Sequence, residues 1–584
     1  MVQGDSLEEI VYKFALENAV RHGGKADIGA VMKKIMASSE GYRKRSKEVI
    51  GIVRKIVNQV NVMSPEDQEA ELELAAPELI KAEKEKREVS KVELPELPQA
   101  ERGKVVMRLA PFPSGPLHIG NARMVVLNDE YVKRYKGKLL LVYDDTIGGG
   151  KTGKRILPEA YDMIKEELGW LGVKIHEMYY KSDRLPLFCN YTEELIKKGH
   201  AYVCTCEAET FREKFKSRGV SCPCRALRIE ENLERWNKMI EGAYKEGEAA
   251  VRLKTGMDHP NPAVRDHVIM RICDEEHPRV GKKYKVWPLL DFSWAIDDHL
   301  LGMTHILRGK DLVKEDIIEK FVWKFLEWPE KVFVHYGRLK ISGLTLSKTV
   351  ARKKIEEGEY FGWEDPRTWS LKSLDARGIK PDALRNAIKD LGLSLVDIEF
   401  SPEAIYAHNR KIIDPVANRY FFVKNPVELK VFGIPFEKLT PHLPKHPDFP
   451  ERGNRAFEIK ILDGEWSGFI TLKDAEKNEG KTIRLKGLMN INLNTLKNGK
   501  ITAEYHSRDV ETIKEKSVPI IHWLPAEEAN VNTKVLMPEG EMIEGLAEPS
   551  CKELKEGEII QFERFGFGKI KKTAPQLEIW FSHK

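Results

Sequence analysis

The apolar run Lys104-Val105-Val106-Met107-Arg108-Leu109-Ala110 constrains the fold more than any other stretch of this chain. It is closed by Pro111-Phe112-Pro113-Ser114-Gly115-Pro116, and a short apolar run with proline punctuation reads as a buried strand. Beyond it, Met124, Val125, Leu127, Tyr131 and Val132 recur at helical spacing. Leu117-His118-Ile119-Gly120-Asn121-Ala122-Arg123 therefore lies where a strand hands over to a helix. Such a junction forms the mouth of an open parallel sheet, where free N–H groups at a helix N-terminus favour phosphate.

The alternation continues. Residues 138–145 (KLLLVYDD) read as a second strand, 157–172 as a helix, 176–183 as a third strand and 185–199 as another helix. A β-α-β-α-β order predicts one half of a doubly wound sheet. The second strand ends in Asp144-Asp145-Thr146 at the carboxyl edge, and a carboxylate there can hold an ammonium through a charge-assisted hydrogen bond. The following IGGGKTGK (147–154) mimics a phosphate-binding Walker loop. It lacks the full spacing, and Arg155 stands where Ser or Thr would follow the last lysine.

The sheet pattern breaks at 201 and resumes near 286, which marks an insertion. Within it Cys204, Cys206, Cys222 and Cys224 form two close pairs fifteen residues apart. Four soft ligands in that arrangement suit a closed, structural Zn²⁺ site; buried free thiols are the alternative. Residues 314–328 and 331–337 then read as a helix and a strand. From about 403 short alternating runs separated by Gly, Pro and Asn predict an all-β sandwich or barrel. At the other end, 7–22 and 41–60 carry helical patterns, and 65–102 read as a solvated helix entering a proline-set linker. That N-terminal region is either a small helical appendage or, from its YRKRSK run, a docking element for RNA or a partner.

At 584 residues, three to five domains are expected. A net charge of +5 against 96 basic and 91 acidic residues neither demands nor excludes a nucleic-acid partner. Seven cysteines are too few for a disulfide framework in a chain of this size. No apolar run approaches the ~18–20 residues that span a bilayer, and MVQGDSLEE is no signal peptide, so a cytoplasmic location is expected.

Together, RLAPFPSGPLHIGNAR (108–123), DFSWAIDDHLLGMTHILRGKD (291–311) and TLSKT (345–349) closely resemble the signatures of class I aminoacyl-tRNA synthetases of the glutamate/glutamine branch, archaeal glutamyl type. The resemblance implies a multidomain α/β chain. Its expected parts are a helical N-terminal extension and linker (1–102), a Rossmann-like catalytic domain in two halves (103–200 and 286–345), an inserted acceptor-end domain with the Cys₄ zinc site (201–285), a signature loop with a helical connecting domain (346–402), and anticodon-binding β-barrels (403–584).

It further implies the site. His118 and Lys348 would be catalytic. Pro111, Ser114, Gly115, His118, Gly120, Asn121, Gly309, Asp311, Ser347 and Lys348 would bind ATP with Mg²⁺, while Arg108, Ala110, Asp144 and Arg308 would bind glutamate, Asp144 taking the ammonium and Arg308 the γ-carboxylate. Asp297, Asp298 and His299 would have structural or positioning roles. Three positions depart from the family pattern: Asn121 replaces a second histidine, Thr345 the first lysine of the signature loop, and Leu290 a pocket tyrosine. The implied activity is ATP-dependent activation of L-glutamate and its transfer to the 3′ end of the glutamate tRNA. Use of the glutamine tRNA as well would call for an amidotransferase downstream. Glutaminyl-tRNA synthetase is the alternative within the class, and a non-catalytic tRNA-binding relative the alternative outside it.

Overall fold

A computed structural model describes residues 6–21, 24–38, 42, 45–76, 93–147, 155–341, 346–441, 443–455, 459–497, 499–510, 518–527 and 529–584. The Walker-like stretch 148–154 and Thr345 lie outside the described residues. The chain divides into two compact units, 1–93 and 94–584.

Within the first unit, α1 (Leu7–Arg21), α2 (Ile28–Ser38), α3 (Ser46–Val62) and α4 (Pro65–Ala75) share an apolar core of Val11, Leu16, Ile35, Val53, Val57 and Leu72. Two of these helices exceed what the sequence led us to expect. α2 lies between the two recognised patterns, and α4 is no solvated helix, because Leu72 and Gln68 are buried and Gln68 Nε2 donates to the Val60 carbonyl at 2.8 Å. Ser64 caps α4 by accepting the Asp67 N–H, with Pro65 in the first turn.

In the second unit, β1 (Val106–Leu109), β2 (Lys138–Tyr143) and β3 (Glu177–Tyr180) form a parallel sheet in the order β1-β2-β3. The crossovers are α5 (Ile119–Tyr135) and α6 (Ala160–Trp170). β8 (His305–Gly309) and β9 (Val332–Tyr336) form a second parallel pair joined by α10 (Val313–Phe325). The two parts meet where Thr304, just before β8, accepts the Val106 N–H on its hydroxyl at 2.9 Å and donates its own N–H to the Val106 carbonyl at 3.0 Å. This places the strands in the doubly wound arrangement anticipated from the alternation. Met107, Leu109, Leu139, Leu141, Val125 and Leu127 are all buried in the core between sheet and helices.

The insertion is an antiparallel sheet of β4 (Ala201–Cys204), β5 (Ala250–Leu253), β6 (Val268–Ile272) and β7 (Val286–Pro288). Its charge-mixed helix α8 (Ile229–Glu241), preceded by α7 (Leu185–Lys197), buries Trp236 and Met239. The last strand of this sheet lies beyond residue 285, because β7 hydrogen-bonds to β6 and the catalytic text resumes only with α9 (Leu290–Leu300). A three-residue strand is too short to show periodicity against the apolar helix that follows it.

The connecting region holds β10 (Leu339–Ile341), α11 (Lys348–Glu356), α12 (Leu371–Ala376), α13 (Pro381–Asp390) and β11 (Ile398–Phe400). The β region was expected from 403. Instead 402–413 form α14 (Pro402–Ile413), with Ser401 accepting the Glu403 N–H as cap and Pro402 at the first helical position. Ser-Pro-Glu is a helix-start signal that the change of texture obscured. Strands begin at Asn418 and form two seven-stranded sheets. One runs from Pro426–Phe432 to Leu524–Pro525; the other combines Asn418–Tyr420 and Phe422–Lys424 with the last strands through Leu577–His583.

Candidate functional site

His118 is the N-cap of α5, in extended conformation, and the loop ahead of it is knit to a distant segment. Ile119 donates its N–H to the Trp369 carbonyl, and the Leu371 N–H donates to the Leu117 carbonyl at 2.9 Å. Asn121 has a clear local task. As the third helical residue it accepts the His118 N–H on Oδ1 at 3.2 Å, satisfying a donor that the helix start would leave exposed.

Two glycines let the signature loop come close. A Cβ on Gly120 would meet the His118 ring at 2.9 Å, and one on Gly115, at φ +145°, would meet the Trp363 indole at 2.9 Å. Lys348 begins α11, capped by Ser347, and its Nζ donates to the Gly115 carbonyl at 3.1 Å. Residues 233 positions apart therefore converge on one loop. His118 Nδ1 is buried without a hydrogen-bond partner among the described residues, an orphan that a phosphate-bearing ligand would suit. Ser114 and Pro111 lie in the same loop, with the Pro111 carbonyl accepting the Asp144 N–H at 3.1 Å. Gly309 and Asp311 stand at the carboxyl end of β8 beside Tyr336.

Desolvation, and next to it the positive charge of Lys348, press the His118 pKa down to about 4. Glu167 moves the other way. Burial pushes it up to about 8, although it accepts the N–H groups of Leu117 (2.6 Å) and Lys372 (3.2 Å) on its two oxygens. Sequence reasoning missed Glu167, since one glutamate inside an amphipathic helix carries no signal.

The residues expected to hold glutamate are arranged differently from a simple open pocket. A cavity of about 590 Å³ opens between the catalytic sheet and the insertion, lined among others by Asp144, Arg155, Arg271, Leu290, Asp291 and Lys314. Of Arg108, Ala110, Asp144 and Arg308, only Asp144 lines it. Arg108 and Arg308 are buried behind, 4.8 and 5.1 Å from the Trp294 ring. Each is already engaged: Arg108 forks onto Asp298, with Nη2 to Oδ2 at 2.8 Å, and Arg308 spans Asp316 (Nε to Oδ1, 2.9 Å) and Glu319 (Nη1 to Oε1, 2.7 Å). Asp144 is engaged too, by the fully buried Lys181, whose Nζ donates to Oδ1 at 2.8 Å and to Ser293 Oγ at 2.7 Å. Asp298 thus anchors the Arg108 side chain, and Asp297 pairs with Arg184 at 2.6 Å. Lys181, Asp316 and Glu319 escaped the sequence reading, because only the fold reveals what a lone charge on a helix or turn faces.

Cys204, Cys206, Cys222 and Cys224 come together, their sulfurs all within 4.8 Å of one another. Cys204 and Cys206 follow from the end of β4, and a single helical turn at Pro223–Ala226 presents the other pair.

Residues 104–415 match the family model of the catalytic domain of class I tRNA synthetases (E and Q). The chain belongs to that family. Residues 417–508 and 520–571 match two models of its anticodon-binding domain. The chain is 44% identical to a glutamate–tRNA ligase of Thermococcus kodakarensis, covering 99% of this chain and 100% of the relative. It is 45% identical to those of Methanopyrus kandleri and Pyrococcus furiosus, each alignment covering 97% of both chains. A solved glutamate-tRNA synthetase from Elizabethkingia anophelis is 19% identical with a TM-score of 0.38, covering 54% of this chain and 72% of that one. The catalytic match ends at 415, two residues past the end of α14, in keeping with a β region that starts at Asn418. Among the described residues no helix is long and apolar enough to cross a membrane.

The depressed pKa of His118 sets a pH dependence. The unfolded chain takes up the proton near 6.5 and the folded one only near 4. Its contribution to stability is therefore complete above about pH 6.5 and is lost as pH falls toward 4. In urea titrations at stepped pH, His118→Gln should lose less stability than the parent over that window. Parallel curves would mean that His118 titrates as an ordinary histidine.

Proposed function

We propose that this chain is a glutamate–tRNA ligase: the α-carboxylate of L-glutamate attacks the α-phosphate of ATP, giving glutamyl-adenylate and releasing pyrophosphate, and the terminal ribose hydroxyl of the glutamate tRNA then takes the glutamyl group, releasing AMP. The observation that carries the reading is the convergence of His118 and Lys348 on the Gly115 loop, within a chain alignable end to end with archaeal glutamate–tRNA ligases. In this reading Pro111, Ser114, Gly115, Gly120, Asn121, Gly309, Asp311 and Ser347 cradle the nucleotide. Arg108, Ala110, Asp144 and Arg308 address the amino acid.

The reaction needs two anions aligned and positive charge or donors where charge builds on the transferring phosphate. Lys348 supplies a full charge at the loop. His118, neutral at pH 7, supplies an uncharged ring and leaves Lys348 as the cation. Magnesium, when bound with ATP, neutralises the pyrophosphate. Leu290, on the cavity wall, offers shape and no hydrogen bond, so selection of the amino acid rests on the charged groups around it. The glutamate tRNA is the acceptor; loading of the glutamine tRNA too would require a downstream amidotransferase. Glutamine as substrate is disfavoured by Arg308 and by the glutamate names of the aligned relatives.

Lys348→Ala should slow single-turnover adenylate formation by roughly a hundredfold or more, with glutamate affinity little changed. An unchanged rate would remove Lys348 from the chemistry.

We read the four cysteines as zinc ligands. A tetrahedral Zn²⁺ with Zn–S near 2.3 Å places sulfurs about 3.8 Å apart. Cys204–Cys222 and Cys206–Cys224 stand at 3.9 Å. A closed Cys₄ set would serve the insertion's structure. The purified protein should contain about one zinc per chain by mass spectrometry, and Cys222→Ser should lose the metal and melt at a lower temperature. Metal-free protein with an unaltered melting temperature in Cys222→Ser would leave four free thiols, three buried and Cys206 half-buried.

A further inference from the structure

The charged anchors of the amino-acid site are engaged by this chain's own side chains in a pattern that mirrors a zwitterion with an acidic side chain. Lys181 places an ammonium on Asp144 at 2.8 Å. Asp316 places a carboxylate on Arg308, with its other oxygen 2.7 Å from His335 Nε2. The Lys181 Nζ and the Arg308 guanidinium carbon both face the Trp294 ring, at 5.3 and 5.1 Å. One internal ammonium, from Lys181, and two internal carboxyl groups, from Asp316 and Glu319, thus stand where the two ends of a glutamate would make their charged contacts. This assignment rests on the glutamate reading above.

We propose that Lys181 and Asp316 are specificity-determining residues that compete with the substrate, Lys181 for Asp144 and Asp316 for Arg308. The physical basis is direct. An incoming ammonium near Asp144 meets the attraction of the carboxylate and the repulsion of Lys181. An incoming carboxylate near Arg308 meets the guanidinium and the repulsion of Asp316. In a buried site such opposing terms are far larger than in water. The guanidinium still carries N–H groups beyond those used by Asp316 and Glu319, so a ligand carboxylate can share it without evicting them. The competitors therefore lower affinity without abolishing it, and they do so for different ends of the ligand.

That division gives a test which a purely structural role would not mimic. Glutamate and glutamine share the ammonium and differ in the side-chain end. With the full-length protein, isothermal titration of each amino acid should show Lys181→Met tightening both by about fivefold or more, their ratio unchanged. Asp316→Asn should tighten glutamate by a similar factor and leave glutamine where it was, so the ratio rises. Because Asp144 lines the cavity, water can reach it in Lys181→Met, and the amide oxygen introduced by Asp316→Asn can still accept from Arg308. Each variant is checked by its melting temperature, and either one that folds suffices. Weaker or unaltered binding in a folded variant would overturn the proposal while leaving the glutamate reading intact. Absence of binding by the parent and both variants would overturn that reading and the proposal together.

Discussion

The charge pairs buried at the carboxyl edge of the catalytic sheet hold the molecule's chemistry and its architecture in one place. Arg108 on β1 reaches Asp298 on α9, Lys181 after β3 reaches Asp144 after β2 and Ser293 on α9, and Arg184 reaches Asp297. The three contacts to α9 cross between the two halves of the doubly wound domain, which the insertion separates in sequence. Buried pairs add little net stability, since desolvation offsets their attraction, but removing one partner alone typically costs ~3–5 kcal/mol. Their effect is to fix register. Any other packing of α9 against the sheet would leave Arg108 buried without its counter-ion Asp298 and strip the half-buried Arg184 of Asp297.

The same principle explains why function sits at this edge. β1, β2 and β8 all end here, each followed by a loop whose N–H and C=O groups are not consumed by the sheet. Into that rim the chain delivers His118 from the start of α5 and Lys348 from the start of α11, with Gly115 and Gly120 permitting contact distances that a side chain would forbid. Asn121 keeps the cap of α5 by backbone contact. Its amide does for the His118 N–H what a helix start requires, so the departure from a second histidine leaves the local fold whole.

Much of the fold was legible in the sequence, and the limits follow from physics. Strand and helix alternation, proline punctuation and the short signatures located β1 to β3, α5, β8 and β9, and singled out His118 and Lys348, which the fold brings to one loop. Close cysteine pairs announced the cluster that the fold assembles. Three kinds of feature were not legible. Elements too short for periodicity, such as β7, merged with their neighbours. Helices announced only by a cap, such as α14 behind Ser401-Pro402, hid under a change of composition. Long-range electrostatic partners left no local trace. Nothing near Lys181 in sequence points to Asp144, and nothing near Arg308 says that Asp316 and Glu319 curl back onto it. The resemblance therefore pointed to candidate anchors, while their surroundings, which tune them, needed the folded chain.

This chain loads glutamate onto tRNA. The most direct measurement is charging of purified glutamate and glutamine tRNAs with labelled glutamate or labelled glutamine, in the presence of ATP and Mg²⁺. Labelled glutamate should appear on the glutamate tRNA, and labelled glutamine on neither. Glutamine on either tRNA, or no charging of any kind, would contradict that assignment.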